Sequence, residues 1–361
     1  MKATDIARHR LYFQHIAGTN FKDPQKVVSW MGAMQAQDYN MAKWAVGIRL
    51  KDSTDQLIEY YLNEGKILRT HLLRPTWHMV SAEDIYWILE LTAPHIKPSM
   101  RARHRELGLT DKIVTQTKSV VEKALSGGIH LTREELLGKL QEAKLVTDRA
   151  QLTHLMMICE LDRLVCSGAS KGKKQTYALL EERVKKTQPL SREEALAKLA
   201  KKYFESHGPA TIQDFIWWSG LPVKDARSAL EMVKQHFASE EIESQVYWFA
   251  ENGISSPSLE NTVHLIPAYD EYIISYRDRT ATIQAENHKK AISENGFFRP
   301  VVVVNGETIG TWKRLTQKDG SIVELNYFQS VTETTDKQIE REVIKYGQFI
   351  NQKIGVEKIQ K

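Results

Sequence analysis

The sequence has few cysteines and no long apolar segment. Two cysteines, Cys159 and Cys166, occur among 361 residues, which is too few for a disulfide framework and fits a reducing compartment. The longest apolar runs, such as VVVV at 301–304, are far shorter than a membrane span of about 20 residues. The first residues, MKATDIARHRLYF, lack the apolar core of a secretory signal. We therefore expect a cytoplasmic protein that has no membrane partner.

Sequence patterns for metal and nucleotide chemistry are also missing. There is no Cys₂His₂, Cys-x-x-Cys or His-Glu-x-x-His pattern, and His71 with His78 on neighbouring predicted strands is too little for a metal site. A Walker loop and the glycine loop of dinucleotide-binding proteins are absent as well. We therefore expect neither a metal nor a cofactor, and the kinase and dehydrogenase classes lose their usual sequence support.

The composition is that of a globular protein with a small excess of positive charge. Hydrophobic residues make up 42% and charged residues 26% of the sequence, and the net charge is +5. An excess of positive charge favours a polyanionic partner, although many proteins with such an excess bind none. The length is two to three times that of a usual domain, so the sequence predicts a multidomain protein.

A unit of two helices followed by two short strands recurs three times along the sequence. The middle copy is the clearest, with helices predicted at 133–143 and 148–162 and strands at LVCSG and TYALL around a lysine-rich loop. This order of elements is typical of a winged helix, with the loop as its wing. The third copy follows a helix predicted at 192–207. The sequence therefore predicts an α+β fold that contains tandem winged-helix units.

The pattern changes to strands after about residue 258. Apolar segments surround Asn305-Gly306, a pair that favours a type I′ hairpin. The segment NTVHLIPAYDEYIISY is also interpreted as extended. A helical apolar stripe from about Asp336 predicts one closing helix. We expect a C-terminal antiparallel β domain that this helix covers.

Four segments follow from these patterns. We predict a first winged-helix unit with a connecting helix at 1–108, a second unit at 109–188, a third unit at 189–257 and the β domain at 258–361. The connecting helix is expected to begin at Ser81, with Asp84 as its capping-box partner.

Two glutamines, Gln35 and Gln37, follow an amphipathic helix in the segment MGAMQAQDYN. Side chains two residues apart point to nearly opposite faces of a helix but to the same side of an extended segment. Gly32 weakens the last helical turn, so we expect the helix to end before the pair. Two amides can then hold one water or the edge of one base. By itself the pattern is more typical of a solvated turn.

Basic side chains occur near the predicted turns, wings and strand ends, and several have aromatic neighbours such as Trp77, Tyr276, Phe298 and Trp312. Arginine and lysine bind phosphates, and a flat ring can stack on a displaced base. For any single residue, a solvated charge beside a core aromatic is the alternative. The candidate DNA-binding residues are Arg69, His71, Arg74, Trp77, His78, Lys171, Lys173, Lys174, Arg277, Arg279, Arg299, Lys313 and Arg314.

Four segments carry a resemblance to one family. They are MGAMQAQDYN, ILRTHLLRPTWHMV, LIPAYDEYIISYRDR and NGFFRPVVVVNGETIGTWKR. The sequence resembles the winged-helix DNA glycosylase superfamily of AlkZ, the azinomycin-resistance glycosylase, and YcaQ. The resemblance implies a C-shaped arrangement, a basic concave surface for double-stranded DNA, and excision of alkylated bases without metal or cofactor. It also implies that Gln35 and Gln37 are catalytic and that the protein is nucleoid-associated when bound to DNA.

The expected activity is that of a monofunctional DNA glycosylase acting on cationic N7- or N3-alkylated purines, with interstrand crosslinks as further candidates. Such a base leaves as a neutral molecule and needs little acid assistance, so two amides that orient a water can suffice. One branch of the family has an acid at the second motif position. Here that position is Gln37, and Asp38 follows one place later, where its side chain is expected to face elsewhere.

Two alternatives stay open. Three winged-helix units equally suggest a DNA-binding regulator without catalytic activity. The adjacent acids Asp270 and Glu271 are an alternative catalytic pair, although acids that hold Arg277 or Arg279 within the C-terminal domain are the simpler interpretation. We expect a monomer in either case, because a self-contained clamp needs no partner subunit.

Overall fold

The structure of the protein is a computed structural model that describes residues 3–251, 262–317 and 320–359. Within these three ranges, no helix combines the length and apolar character that crossing a membrane requires.

The first unit contains four helices and a small sheet. Asp23 caps its second helix by accepting a hydrogen bond from the Gln25 N–H at 2.8 Å, and Pro24 fills the first helical position, where no N–H is needed. The strands form an antiparallel sheet in the order β1-β3-β2. The elements are α1 (Ala3–Phe13), α2 (Pro24–Met31), β1 (Met34–Gln35), α3 (Tyr39–Gly47), α4 (Asp55–Asn63), β2 (Ile67–Leu72) and β3 (Thr76–Ser81).

Two helices, α5 (Ile85–Ser99) and α6 (Arg101–Glu106), connect the first unit to the second. The expected start at Ser81 is wrong, because Ser81 is the last residue of β3 and its hydroxyl donates to Asp84 at 2.9 Å. The expected capping box is wrong as well, since the Asp84 side chain accepts no backbone N–H at the start of α5. Its carboxylate lies 3.2 Å from Lys202 Nζ instead.

The second unit repeats the order helix, strand, helix, helix, strand, strand. Its first helix after the short strand begins with a capping box between Thr132 and Glu135. The sheet has the order β4-β6-β5, which corresponds to the order in the first unit. The elements are α7 (Asp111–Leu125), β4 (Leu131–Thr132), α8 (Arg133–Glu142), α9 (Arg149–Leu161), β5 (Val165–Ser167) and β6 (Thr176–Leu179), followed by α10 (Leu180–Arg183).

The third unit has the same order of elements. Its first helix covers the expected residues 192–207, and Pro222 precedes its third helix as expected. Ala210 forms a bridge with Trp248 and takes the place of the short first strand. The elements are α11 (Arg192–His207), α12 (Ile212–Ser219), α13 (Val223–Val233), β7 (Ala238–Ile242) and β8 (Gln245–Phe249).

The C-terminal region forms a five-stranded sheet in the order β13-β12-β11-β10-β9. The predicted hairpin is confirmed, because Asn305 and Gly306 both have positive φ angles, of 52° and 92°. The elements are β9 (Val263–Ile266), α14 (Glu271–Ile274), α15 (His288–Ala291), β10 (Val301–Val304), β11 (Glu307–Gln317), β12 (Gly320–Tyr327), α16 (Glu333–Phe349) and β13 (Ile354–Lys358).

Three expectations about this region are wrong. The predicted extended segment after β9 turns at Asp270 into the short helix α14, because the Asp270 side chain caps it by accepting the Tyr272 N–H at 2.8 Å. The closing helix begins at Glu333, after the cap residue Thr332, rather than near Asp336. The sheet is not purely antiparallel, since the helix is followed by β13, which pairs with β12 in parallel.

The sheet of the first unit separates two apolar cores. Neighbouring residues of a strand face opposite sides, so Ile67 packs with the C-terminal sheet and Leu68 packs with α5 and the third unit. The indole N–H of Trp44 in α3 donates to the Leu265 carbonyl of β9 at 2.8 Å. The second unit has a separate core. The first unit and the C-terminal region thus share one core. The division into four separate domains remains a prediction.

A buried ion pair joins the first unit to the C-terminal region. The guanidinium of Arg49 donates to both carboxylate oxygens of Asp270, each at 2.8 Å, and neither side chain has solvent exposure. The same guanidinium also donates to Gln14, the residue that follows α1, at 2.8 Å. A planar guanidinium matches a carboxylate in this two-point geometry.

The substitution Asp270→Asn should lower the free energy of unfolding by about 3–5 kcal/mol, because it leaves the Arg49 charge buried without its partner. Urea denaturation of both proteins measures the difference. Glu231→Gln, which alters an exposed acid, is the control and should change stability little. Equal unfolding midpoints for Asp270→Asn and the unmodified protein would contradict this assignment.

Candidate active site

The Gln-x-Gln segment, residues 35–37, lies between a helix end and a helix start. Helix α2 ends at Met31, and Gly32 follows with a positive φ angle of 75°. Gln35 then pairs with His78 across the first sheet. The expectation that the helix ends before the two glutamines is therefore confirmed. The strand ends at Gln35, and Gln37 lies in the bend that precedes α3.

The backbone of Gln35 is held by a buried acid from α14. The Gln35 N–H donates to the Glu271 carboxylate at 2.5 Å, and the Trp218 indole donates to the same carboxylate at 3.1 Å. The Ser275 hydroxyl also donates to it. Burial alone would raise the pKa of Glu271, but His207, Ser275 and the Gln35 N–H lower it to about 2. Glu271 is therefore ionised and anchors the segment.

The side chain of Gln35 is oriented by Arg74. The Arg74 guanidinium donates to Gln35 Oε1 at 3.0 Å. Because a guanidinium only donates, the amide oxygen faces Arg74 and the amide nitrogen faces the other way. Gln35 is 6% exposed, and no residue in the described ranges accepts a hydrogen bond from its Nε2. The Nε2 group is therefore available as a donor to a bound molecule.

Gln37 lies at the surface, two residues after Gln35. Its side chain is exposed, and Asp38 follows as the cap of α3, accepting the Met41 N–H at 3.0 Å. The Asp38 carboxylate is thus engaged by the helix start. The buried Gln35 and the exposed Gln37 give the segment one fixed amide and one amide open to solvent.

Arg69 and Trp77 support this segment from the neighbouring strands. Arg69 Nε donates to the Ala36 carbonyl at 2.9 Å, and the Arg69 guanidinium lies 4.1 Å from the centre of the Trp77 ring. Another nitrogen of Arg69 donates to Gln175 at 2.7 Å, at the end of the second unit's lysine-rich loop. Burial lowers the pKa of Arg69. These contacts tie the loop of the second unit to the Gln-x-Gln segment.

The two candidate histidines are buried and have protein partners. His71 Nδ1 forms a hydrogen bond with the carboxylate of Glu160 in α9, and the His71 ring centre lies 4.0 Å from that of Trp77. His78 has no solvent exposure, and its Nδ1 donates to the Thr76 carbonyl at 2.9 Å. Burial, with the charge of Arg74 as a second cause, lowers the pKa of His78 to about 3. His78 is therefore neutral. The expected contacts of His71 and His78 with DNA remain predictions.

An exposed tryptophan was missed by the sequence reasoning. Trp217 of α12 is 41% exposed, and its indole N–H donates to the Ile274 carbonyl at 2.8 Å. The guanidinium groups of Arg74 and Arg279 lie 5.6 Å and 5.3 Å from its ring centre. In the sequence, Trp217 lies in the apolar run FIWW, which indicates core packing rather than a surface site.

A second aromatic group lies nearby on the C-terminal region. Phe297 is 48% exposed, and its ring centre lies 5.4 Å from that of Tyr269. Burial raises the pKa of Tyr269, and the negative charge of Asp38 raises it further. The aromatics expected from the sequence, Tyr276, Phe298 and Trp312, are buried. Because these three rings are buried, they cannot stack on a base in this conformation.

The lysines of the second unit lie on the exposed loop between β5 and β6. Lys171 and Lys174 pair across the loop, and Lys171 also contacts Glu135 at 3.0 Å. Lys173 and Lys174 are exposed, with no ion pair among the described residues. Gln175 at the loop end contacts Arg69, so the loop lies beside the Gln-x-Gln segment.

The remaining basic candidates lie on the C-terminal region. Arg277 is exposed, and Arg279 is half-buried, with burial lowering its pKa to about 10. Both residues line a cavity of about 760 Å³ between the third unit and the C-terminal region. Among the described residues, no hydrogen bond or ion pair joins the other three candidates to the Gln-x-Gln segment. They are Arg299, Lys313 and Arg314.

The acids Asp270 and Glu271 do not hold Arg277 or Arg279, so the expected partners are wrong. Asp270 binds Arg49, and Glu271 binds the Gln35 backbone. Both carboxylates are buried and engaged, which does not suit a hydrolytic pair that must reach a substrate.

One pentapeptide, GASKG at 168–172, has the spacing of a Gly-x-Ser-x-Gly nucleophile elbow. It lies in the loop between two strands rather than at a strand-to-helix turn. The Ser170 hydroxyl donates to Glu59 at 2.7 Å, so the loop is not a nucleophile elbow. The described residues also contain no group of three or more histidine, cysteine or acidic side chains that could hold a metal ion.

Comparison with known proteins identifies the class of the protein. The sequence matches the family described as DNA glycosylase AlkZ-like over residues 28–349, and the chain belongs to this family. It is therefore a DNA glycosylase, an enzyme that hydrolyses N-glycosyl bonds in DNA. The resemblance seen in the sequence is confirmed.

The fold is similar to that of a solved member of this class. The structure of Streptomyces sahachiroi DNA glycosylase AlkZ matches with a TM-score of 0.83, covering 99% of this chain and 100% of that chain at 19% sequence identity. At this identity the likeness concerns the fold. No curated protein sequence matches the chain.

The free energy of unfolding should fall as the pH drops from about 6.5 towards 3. The unfolded His78 binds a proton near its ordinary pKa of 6.5, whereas the buried ring does so only near 3, so acid favours the unfolded chain. His78→Leu should reduce this slope by up to about 1.4 kcal/mol per pH unit, measured by urea denaturation across that range. His236→Leu alters an exposed ring and should leave the slope unchanged. Parallel slopes for His78→Leu and the unmodified protein would refute the prediction.

Proposed function

We propose that the enzyme hydrolyses the N-glycosidic bond of cationic N7- or N3-alkylated purines in double-stranded DNA, including those in interstrand crosslinks. A water positioned by Gln35 and Gln37 is the nucleophile. The observation that carries this proposal is the fixed geometry of Gln35, whose backbone is held by Glu271 and whose amide oxygen is held by Arg74.

Two amides of this kind can orient a water between them. The Nε2 group of Gln35 donates to one lone pair of the water, and the amide oxygen of Gln37 accepts one of its protons. The second lone pair then attacks C1′ of the sugar as the C1′–N bond breaks, the base leaves as a neutral molecule, and the proton that the water loses passes to the solvent. The amide oxygen of Gln37 also directs the negative end of its dipole at the positive charge that develops on the sugar in the transition state.

In the part of the chain that the structure describes, the acid that contacts Gln35 and the acid that follows Gln37 are both already engaged, which supports a cationic substrate. Glu271 is buried and accepts three hydrogen bonds, and Asp38 caps α3. A purine alkylated at N7 or N3 already carries positive charge and leaves as a neutral base, so it needs no proton from the enzyme. An ordinary base is a poorer leaving group and is expected to remain attached.

We also propose that the three repeated units are winged helices that form a C-shaped, basic surface around the duplex. The same order of elements in all three units and the exposed lysines of the second unit's loop support this proposal. The enzyme is proposed to act as a monomer and without metal or cofactor. Because phosphate contacts carry no sequence information, it should bind random duplex.

The substitutions Gln35→Ala and Gln37→Ala should each slow the release of N7-methylguanine at least about tenfold, because each removes one contact of the attacking water. Single-turnover release from a methylated oligonucleotide, with an abasic-site endonuclease to cut the product, measures the rate. Duplex affinity should hardly change. Asn40→Ala removes an exposed amide of the same region and is the matched control. Full rates in both glutamine variants would refute this assignment.

Removing the two exposed lysines of the second unit's loop should weaken DNA binding at every sequence. For the double variant Lys173→Ala/Lys174→Ala, the plot of log K against log salt concentration should become less steep. Its negative slope should shrink in magnitude by about 2, because each phosphate contact contributes about 1. Fluorescence anisotropy with random duplex at several salt concentrations measures it. Lys337→Ala, on α16 beside Glu333, is the control. An unchanged slope in the double variant would place the DNA elsewhere.

A further inference from the structure

Arg74 occupies an unusual place for a residue predicted to contact DNA. Leu73, which precedes it, has a positive φ angle of 58°, and Gly220 packs so closely that an added Cβ would lie 2.6 Å from the Leu73 carbonyl oxygen. This turn directs Arg74 towards the third unit. There its guanidinium lies 3.4 Å from the Trp217 carbonyl oxygen and 5.6 Å from the centre of that ring.

The Arg74 side chain is committed to protein contacts. One terminal nitrogen donates to Gln35 Oε1 and the other donates to the Trp217 carbonyl. Its Nε is buried and has no hydrogen-bond partner in the part of the chain that the structure describes. Burial lowers the pKa of the guanidinium, while the charge of Glu271 acts in the opposite direction. A side chain placed in this way has little reach towards a phosphate.

Glu271 completes the fixation of Gln35 from the backbone side. Its carboxylate accepts the Gln35 N–H at 2.5 Å, and Trp218 and Ser275 hold the carboxylate in turn. Gln35 is therefore fixed at two points by opposite charges from different parts of the fold. Without Arg74, the amide could rotate and exchange its donor and acceptor ends.

We propose that Arg74 is a positioning residue for excision, which holds the amide oxygen of Gln35 so that Nε2 faces the reacting centre. This inference rests on the proposed function, since it acts through Gln35. It replaces the direct phosphate contact that the sequence suggested for Arg74. Arg74 should therefore affect the rate of the chemical step and leave the affinity for the duplex unchanged.

A double-mutant cycle between Arg74 and Gln35 tests the proposal. Arg74→Met should slow single-turnover release of N7-methylguanine about tenfold when Gln35 is present, because one hydrogen bond from a charged group no longer orients the amide. In the Gln35→Ala background the same substitution should change the rate less than about twofold. The slope of log K against log salt concentration for duplex binding should stay the same.

Two further variants keep the result interpretable. Arg74→Lys retains the charge and a donor, so we expect an intermediate rate, which also shows that the fold tolerates the change. Arg341→Met replaces an exposed arginine of α16 and should keep the full rate. Thermal unfolding of each variant shows that the proteins compared are folded at the assay temperature.

Each outcome supports or overturns one statement. The positioning role would be overturned if Arg74→Met also slowed excision tenfold in the Gln35→Ala background. It would likewise be overturned if Arg74→Met reduced the magnitude of the salt slope by about 1, which would indicate a direct DNA contact. Full rates in both the Gln35→Ala and the Gln37→Ala single variants would instead overturn the proposed function itself. Loss of the Arg74 effect when Gln35 is absent, with an unchanged salt slope, supports the proposal.

Discussion

The adjacent buried acids Asp270 and Glu271 determine how the parts of this protein meet. Moving a carboxylate out of water costs several kcal/mol unless partners compensate it. Asp270 is compensated by two hydrogen bonds from Arg49 of the first unit, and Glu271 by the Gln35 N–H together with Trp218 and Ser275. Because these partners come from the first unit, the third unit and the residue that follows α14, both charges are satisfied only when all three are in place.

This constraint fixes the Gln-x-Gln segment in place. A two-residue strand such as β1 has little stability of its own, but the Gln35 N–H bond to Glu271 and the Ala36 carbonyl bond to Arg69 fix its backbone from both sides. Catalysis by neutral amides depends on such preorganisation, because a dipole assists a reaction only when it already points at the developing charge. Fold stability and the geometry of the proposed reaction therefore depend on the same contacts.

Local patterns predicted much of the fold, whereas the partners of the site could not be predicted. Helix α11, the hairpin at Asn305-Gly306 and the early end of α2 depend on neighbouring residues and on caps, which a sequence displays directly. The bond between Gln35 and Glu271 joins residues 236 positions apart, and no periodicity reports such a contact. For the same reason the sequence does not show that Arg74 contacts Gln35, and it hides the exposed Trp217 within an apolar run.

The charges around the Gln-x-Gln segment also bear on the choice of substrate. Arg74 faces the ionised Glu271, so these two charges largely offset each other at the fixed amide. The half-buried Arg279, 5.3 Å from the centre of the Trp217 ring, adds positive charge that attracts phosphates and repels a cationic base. In the proposed reaction the lesion therefore meets amide dipoles and aromatic rings rather than a free carboxylate. Such an environment stabilises a sugar cation without protonating the base. Selectivity for the lesion then comes from the leaving group, since only a base that is already charged departs easily.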